Sequence, residues 1–205
     1  MFEFARENDV LIANPCKKSL KSDMGFVLQT GLRTGELIGL KWSDVDFENR
    51  TMKIERTMEY RYKVGEWHVG PPKTKNSYRD IPMTNECTIL LKELKAKRDL
   101  GRYVEEGFEE FVFINRNGTP TKNSTYDNNL AKLAKKAGIE NFSMHTLRHT
   151  FATRCIEAGM RPKTLQQILG HSSINITMNL YVHVTDDEKI KEIQKFEDYA
   201  IDNGV

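Results

Sequence analysis

Cysteine is scarce in this chain: Cys16, Cys87 and Cys155 lie far apart among 205 residues, and no two form a CxxC pair. That spacing argues against a disulfide framework or a thiolate zinc site and suits a reducing compartment. Long apolar runs are missing too. No stretch approaches the roughly 18 residues that a membrane span needs, and the opening MFEFARENDV has neither the basic region nor the long apolar core of a signal peptide. A cytoplasmic protein with no membrane partner is therefore expected. An excess of one charge is also lacking, since 31 Lys and Arg face 29 Asp and Glu for a net +2. If a polyanion is the partner, the basic residues must be gathered on one face. There is no internal repeat and no low-complexity tract. Hydrophobic residues at 39% and charged residues at 29% exclude a disordered chain, and the length fits one good-sized globular domain, or one domain plus a fragment of another.

The periodicity predicts a mainly helical α+β protein with a small antiparallel sheet. Residues Phe2 to Glu7 read as a helix end stopped by Asn14-Pro15, and CKKSLKSD reads as a linker. GFVLQTGLRTGELIGLKW has helical spacing broken at Gly31 and Gly35, which predicts two consecutive short helices. From Asn49 the period becomes that of half-buried strands, with Met52 and Ile54 on one face and a further strand at Tyr78 to Met83. Helices are predicted from Thr84 to about Arg98, over Ser124 to Ala137, Thr146 to Ala158 and Lys163 to Leu169. Phe111 to Ile114 reads as an isolated strand or a buried loop. Thr185 to Glu188 fits a capping box opening a last amphipathic helix, with Ile190, Ile193 and Phe196 on its apolar stripe.

Two segments carry the chemistry. One is TGLRTGELIGLKW, with Arg33; the other runs from HTLRH to NLYVHV and holds His145, Arg148, His171 and Tyr181. Taken singly, each residue has a plainer reading. Arg33 or Arg148 would be a surface salt bridge, His171 after Gly170 a helix cap favoured by the dipole, and Tyr181 a packing aromatic. His145 and His149 have the i, i+4 spacing of zinc ligands, but the general-base glutamate of that motif is replaced by Thr146. Arg148 between them would also repel a divalent ion, so His149 reads as a hydrogen-bonded core residue. His145 and Arg148, three apart, point to one side of a helix. Imidazole beside guanidinium suits an anion, because arginine binds phosphate through a planar fork of donors and keeps its charge. A phenol with a pKa of about 10 attacks well at neutral pH only where cations stabilise it or a base takes its proton.

TGLRTGEL, HTLRH, LGHSSINIT and NLYVH, in this order, resemble the tyrosine recombinases, especially integrases of phages and conjugative transposons. The resemblance covers about Met24 to Val184. It implies a catalytic domain at residues 21–205, with a C-terminal helix at 186–203, after a remnant of a core-binding domain and linker at residues 1–20. It also implies that the helix before TGLR is shortened. It implies a DNA strand transferase that works on double-stranded DNA through a 3′-phosphotyrosine, with no cofactor and no metal. Tyr181 would be the nucleophile, and Arg33, His145, Arg148 and His171 the phosphate ligands and proton carriers. A hairpin lysine would be the general acid, Lys73 by choice and Lys75 as the alternative, in GPPKTKNSYRDIP. Glu36 would support Arg33. The C-terminal helix has two readings: it packs on its own domain, as most terminal helices do, or, as the resemblance implies, it docks on a neighbouring copy in self-association on DNA as a tetrameric synapse. Alternatives are a type IB topoisomerase-like enzyme, a catalytically silent DNA-binding regulator of the same fold, and a histidine metallohydrolase.

Overall fold

The computed structural model describes residues 18–181 and 186–203. The readings of Phe2 to Glu7, Asn14-Pro15 and Thr185 lie outside them, as does most of the 1–20 segment.

Helix α1 (Lys18–Thr30) runs through much of the stretch expected to be a linker. Asp23, Phe26, Val27 and Thr30 form a buried stripe at helical spacing. That stripe outweighs the polar composition of its first turns, and the helix preceding TGLR is a 13-residue one. The chain then turns at Gly31 (φ 63°) and re-enters helix as α2 (Thr34–Ile38), so both expected helices are present, but the break lies at Gly31 alone and Gly35 sits inside α2. Gly31 has no substitute on two grounds. Its φ is left-handed, and a Cβ there would come within 2.4 Å of the Phe151 ring.

Five strands follow: β1 (Val45–Asp46), β2 (Thr51–Ile54), β3 (Thr57–Arg61), β4 (Glu66–Gly70) and β5 (Arg79–Pro82). They form two antiparallel sheets, one ordered β1-β2-β5 and one pairing β3 with β4. GPPKTKNSYRDIP is therefore not a hairpin, as the sequence suggested, because β4 and β5 belong to different sheets. Pro71 and Pro72 have no N–H to extend the ladder. The chain leaves β4 there, makes a 3-10 turn at Lys75–Ser77 and crosses to pair Ile81 with Met52.

Five helices complete the described fold: α3 (Asn85–Asp99), α4 (Asn123–Lys136), α5 (Met144–Glu157), α6 (Pro162–Leu169) and α7 (Ile174–Met178), before the terminal α8 (Asp186–Asn203). α7 is too short and too rich in β-branched residues to register as a helical period; the Ser173 hydroxyl caps it by accepting from the Asn175 N–H. Phe111 to Ile114 are buried with only isolated bridges, Lys41 to Phe111 and Ile114 to Pro120, so the buried-loop reading holds.

The main core joins α1, α2, the strands, α3, α4 and the first turns of α5 through residues such as Phe26, Leu37, Met52, Ile81, Leu91, Phe113, Tyr126 and Leu147. Truncating a buried ring such as Phe26 to alanine costs about 3–5 kcal/mol. A second, smaller cluster joins Ala152 and Cys155 of α5 to Leu165 and Leu169 of α6, with Tyr181 packed against it. Arg148 lies along α5 between the residues of these two clusters. Among the described residues no helix is long and apolar enough to cross a membrane.

Candidate functional site

The last carbonyls of an α-helix have no partner inside it. At the C-terminal end of α6, three guanidiniums from distant elements supply the partners. Arg79 of β5 donates Nε–H to the Ile168 carbonyl at 2.6 Å. Arg148 of α5 donates Nη2–H to the Leu169 carbonyl at 2.6 Å. Arg33, at the N-terminus of α2, donates Nη2–H to the Gly170 carbonyl at 3.1 Å. The negative end of the helix dipole favours all three cations, and the C-cap Gly170 turns the chain with φ 63° into His171.

Arg148 is nearly fully buried, and its other hydrogen bond goes to the Gly31 carbonyl at 2.6 Å. Burial, then the neighbouring Arg33 guanidinium, bring its pKa down to about 9, against the pull of Glu36. It stays charged at neutral pH. Arg33 is more open, with 37% of its side chain exposed, and leans on Glu36 through Nη1 to Oε1 at 2.8 Å. Glu36, 1% exposed, also accepts from the Arg33 backbone N–H at 2.9 Å, which fixes the first turn of α2. Glu36 thus holds Arg33 by both its side chain and its backbone N–H. Burial works to raise its carboxyl, but the contacts with Arg79 and Arg33 prevail and hold it below its ordinary value.

His171 is half-buried beside these cations, with Nδ1 in a 2.9 Å hydrogen bond to the Thr177 hydroxyl. Burial first, then Arg148, Arg33 and Arg79, push its pKa down to about 4. The expected favourable helix-end charge is overturned: at neutral pH the ring is neutral, because desolvation and three guanidiniums outweigh one helix dipole.

The other three expected residues stand apart from this cluster in their contacts. His145 is exposed and its Nε2 lies 2.8 Å from Nε2 of His149, the two rings meeting edge to face. Both sit near the start of α5, yet Arg148 turns inward while His145 faces out. His149 is half-buried rather than a core residue, and burial lowers its pKa, helped by His145 and Arg148. Tyr181 donates its hydroxyl to the Met160 carbonyl at 2.7 Å. Burial and the Cys155 thiol beside it raise its pKa, so the phenol rests in a place that disfavours phenolate. Lys73 and Lys75 are both exposed on the loop between β4 and β5; Lys75 lines an open groove with Arg79 and His171, and Lys73 lies two residues before it.

Two residues of this cluster carry no signal that sequence reading could use. Arg79 sits in a strand among ordinary polar residues, and Thr177 in a helix too short to detect. Their weight comes from partners 43 and 6 positions away. Among the described residues no group of three or more His, Cys, Asp or Glu side chains gathers to hold a metal.

The chain as a whole is similar to known proteins. The transposase of transposon Tn916 from Enterococcus faecalis is 37% identical over 177 residues, which is 83% of this chain and 44% of that protein. A XerC-like tyrosine recombinase of Caldanaerobacter subterraneus subsp. tengcongensis is 35% identical over 201 residues, 89% of this chain and 50% of that one. The chain thus spans about half the length of the curated relatives it matches. Among solved structures, the Tn1549 transposon integrase in complex with a circular intermediate DNA superposes with a TM-score of 0.80 at 32% identity, over 94% of this chain and 64% of that one. The XerA recombinase gives 0.66 at 26% identity, over 95% and 61%. The family model described as the phage integrase family matches residues 3–188, a span that holds every residue of the arginine cluster and Tyr181 as well. The chain belongs to the phage integrase family.

Proposed function

We propose that this chain is the catalytic part of a cytoplasmic site-specific recombinase that cleaves and rejoins double-stranded DNA through a 3′-phosphotyrosine on Tyr181. The observation that carries the reading is the convergence of Arg33 and Arg148 on one helix end, at the turn into His171. Arg33, Arg79 and Arg148 carry three positive charges against one on Glu36. That surplus suits a phosphodiester gaining negative charge in its transition state.

In the proposed reaction the Tyr181 oxygen attacks the scissile phosphorus and the bond to the 5′-oxygen breaks. The phenol proton passes to His145, and the departing 5′-oxygen takes a proton from Lys73, with Lys75 as the alternative. Arg33 and Arg148, with a donor from His171, hold the non-bridging oxygens; in other enzymes one such donor is worth about 10²–10³ in rate. Rejoining reverses these steps with the 5′-hydroxyl of a new strand as nucleophile. One phosphodiester replaces another, so no nucleotide is consumed. Before attack the Tyr181 hydroxyl must leave the Met160 carbonyl.

The terminal helix supports a further element of this reading. On α8, Ile190, Ile193 and Phe196 are exposed on one stripe. We propose that this stripe docks on a neighbouring copy and links tyrosine position to assembly, up to a tetrameric synapse on DNA.

The test is trapping on a nicked suicide duplex that carries the ends of the mobile element. The wild-type chain should form a covalent adduct that survives denaturation and Tyr181→Phe should form none, while both bind the duplex. Adducts persisting in Tyr181→Phe would refute the assignment.

A further inference from the structure

We infer that Arg79 is a positioning residue for the phosphate-binding guanidinium of Arg33, acting through Glu36 and the end of α6 without touching DNA itself. The inference rests on the recombinase reading above and goes beyond it, because no residue of β5 takes part in the chemistry proposed there.

Arg79 has no fork left for a phosphate. Its side chain is 6% exposed. Nη1 and Nη2 take the two oxygens of Glu36 at 3.0 and 2.8 Å, Nε takes the Ile168 carbonyl, and Nη1 also takes the Ser77 carbonyl at 2.9 Å. Of the five N–H donors that a guanidinium has, four are spent on protein. Arg33 spends two on side-chain contacts, with Glu36 and Gly170, and keeps the more exposed face.

The charge balance shows what Arg79 contributes. A buried carboxylate paired with Arg33 alone would cancel the charge that the phosphate needs. With Arg79 present, the trio of Arg33, Glu36 and Arg79 retains one net positive charge, so Arg33 is oriented by Glu36 without being neutralised by it. Glu36 accepts four hydrogen bonds, two from Arg33 and two from Arg79, and a carboxylate so satisfied has no freedom to rotate.

Arg79 also holds the segment that the other cations read. Ile168, Leu169 and Gly170 offer successive carbonyls to Arg79, Arg148 and Arg33. A Cβ at Gly170 would meet Arg79 Nη1 at 2.8 Å, which measures how closely this side chain backs the turn into His171. Asn76, three residues before Arg79, donates to the His171 and Ser172 carbonyls at 3.4 and 3.3 Å, so the loop carrying Lys73 and Lys75 is fastened to the same turn. Lysine at position 79 would keep the charge but lose the fork that reaches Glu36 with two parallel bonds.

The test is single-turnover cleavage of the suicide duplex by Arg79→Lys, Arg79→Gln and Glu36→Gln, with wild type and Tyr181→Phe as controls. The adduct-forming rate should fall by about 10²-fold, the loss expected when a reacting geometry is misplaced from a distance. The reactive fraction and the DNA affinity should not change. The defect should shrink on a duplex whose scissile phosphate is an uncharged methylphosphonate, since there is less charge for Arg33 to meet. Arg33→Ala combined with Arg79→Gln should be no slower than Arg33→Ala alone, because both changes remove one function. Equal defects on both substrates, additive losses in the double variant, or DNA affinity falling in step with rate would each overturn the inference. Where Arg79→Gln fails to fold, Arg79→Lys and Glu36→Gln carry the same expectation. A second measurement needs no catalysis: in Arg79→Lys the Nε–H signal of Arg33 in NMR spectra should broaden and exchange faster with water, and an unaltered signal would overturn the inference. No adduct from wild type would overturn the recombinase reading instead, leaving the Arg33 signal to decide the role of Arg79.

Discussion

The Tyr181 hydroxyl donates to the Met160 carbonyl at 2.7 Å, on the small cluster of α5 and α6 rather than on a guanidinium. The phenol is thus satisfied where it rests, and among the described residues one hydrogen bond holds it there. Tyr181→Phe should therefore lower stability by no more than about 0.5–1.5 kcal/mol, the usual net worth of such a bond. Urea unfolding followed by circular dichroism measures this. A loss of several kcal/mol would make Tyr181 a structural pillar, which conflicts with a nucleophile that must move.

Gly31 supplies both the turn before Arg33 and the carbonyl that receives Arg148. Gly31→Ala would place a methyl within 2.4 Å of Phe151 and 2.9 Å of Leu169, at a positive φ. We expect a cost of about 1–3 kcal/mol from the forced repacking, read as a fall in Tm. An unchanged Tm would mean that the Phe151 ring has room to retreat.

Acid should act on the cluster through His171. Its pKa is 6.5 in the unfolded chain and about 4 in the fold, so between those values the unfolded state binds more protons. Stability from this group is fully present above pH 6.5 and is lost as pH falls toward 4. Asp23 has the opposite sign. Burial raises its carboxyl from 3.8 to about 7, against the 2.5 Å hydrogen bond that Tyr126 donates to it. The folded state therefore binds more protons in that range, and stability falls as pH rises through it. His171→Gln should remove the acid-side loss and Asp23→Asn the fall on the neutral side, as seen in urea midpoints across pH. Parallel curves for wild type and variants would contradict both assignments.

Lys73 is proposed to protonate the 5′-oxygen as it leaves. Lys73→Ala should slow adduct formation by about 10²–10⁴-fold, and a duplex with sulfur in place of the bridging 5′-oxygen should recover most of that, because a thiolate leaves without a proton. If Lys75→Ala shows the rescue and Lys73→Ala does not, the assignment passes to Lys75, which lines the groove with His171.

The apolar stripe of α8 predicts association. Removing residues 185–205 should lower the mass seen by light scattering on DNA, and an identical mass with and without them would sink the docking proposal.

The sequence by itself determined most of the element types and named most of the residues proposed for the chemistry. Spacing in TGLRTGELIGLKW gave the helix break at Gly31, and the alternation at Met52 and Ile54 gave β2, because both signals are local patterns of side-chain burial. The order of TGLR, HTLRH, LGH and NLY pointed to the family. Tertiary structure alone decided how those residues are arranged. It made a helix of the supposed linker, because the stripe of Phe26 and Val27 has value only against the rest of the core. It put β4 and β5 in separate sheets, a choice of partner strand that local pattern does not encode. It added Arg79 to Arg33 and Arg148, neutralised His171 and turned Tyr181 toward Met160. Each of these depends on charge, solvent exclusion and carbonyl partners brought together by residues up to 137 positions apart, and no window along the chain contains them.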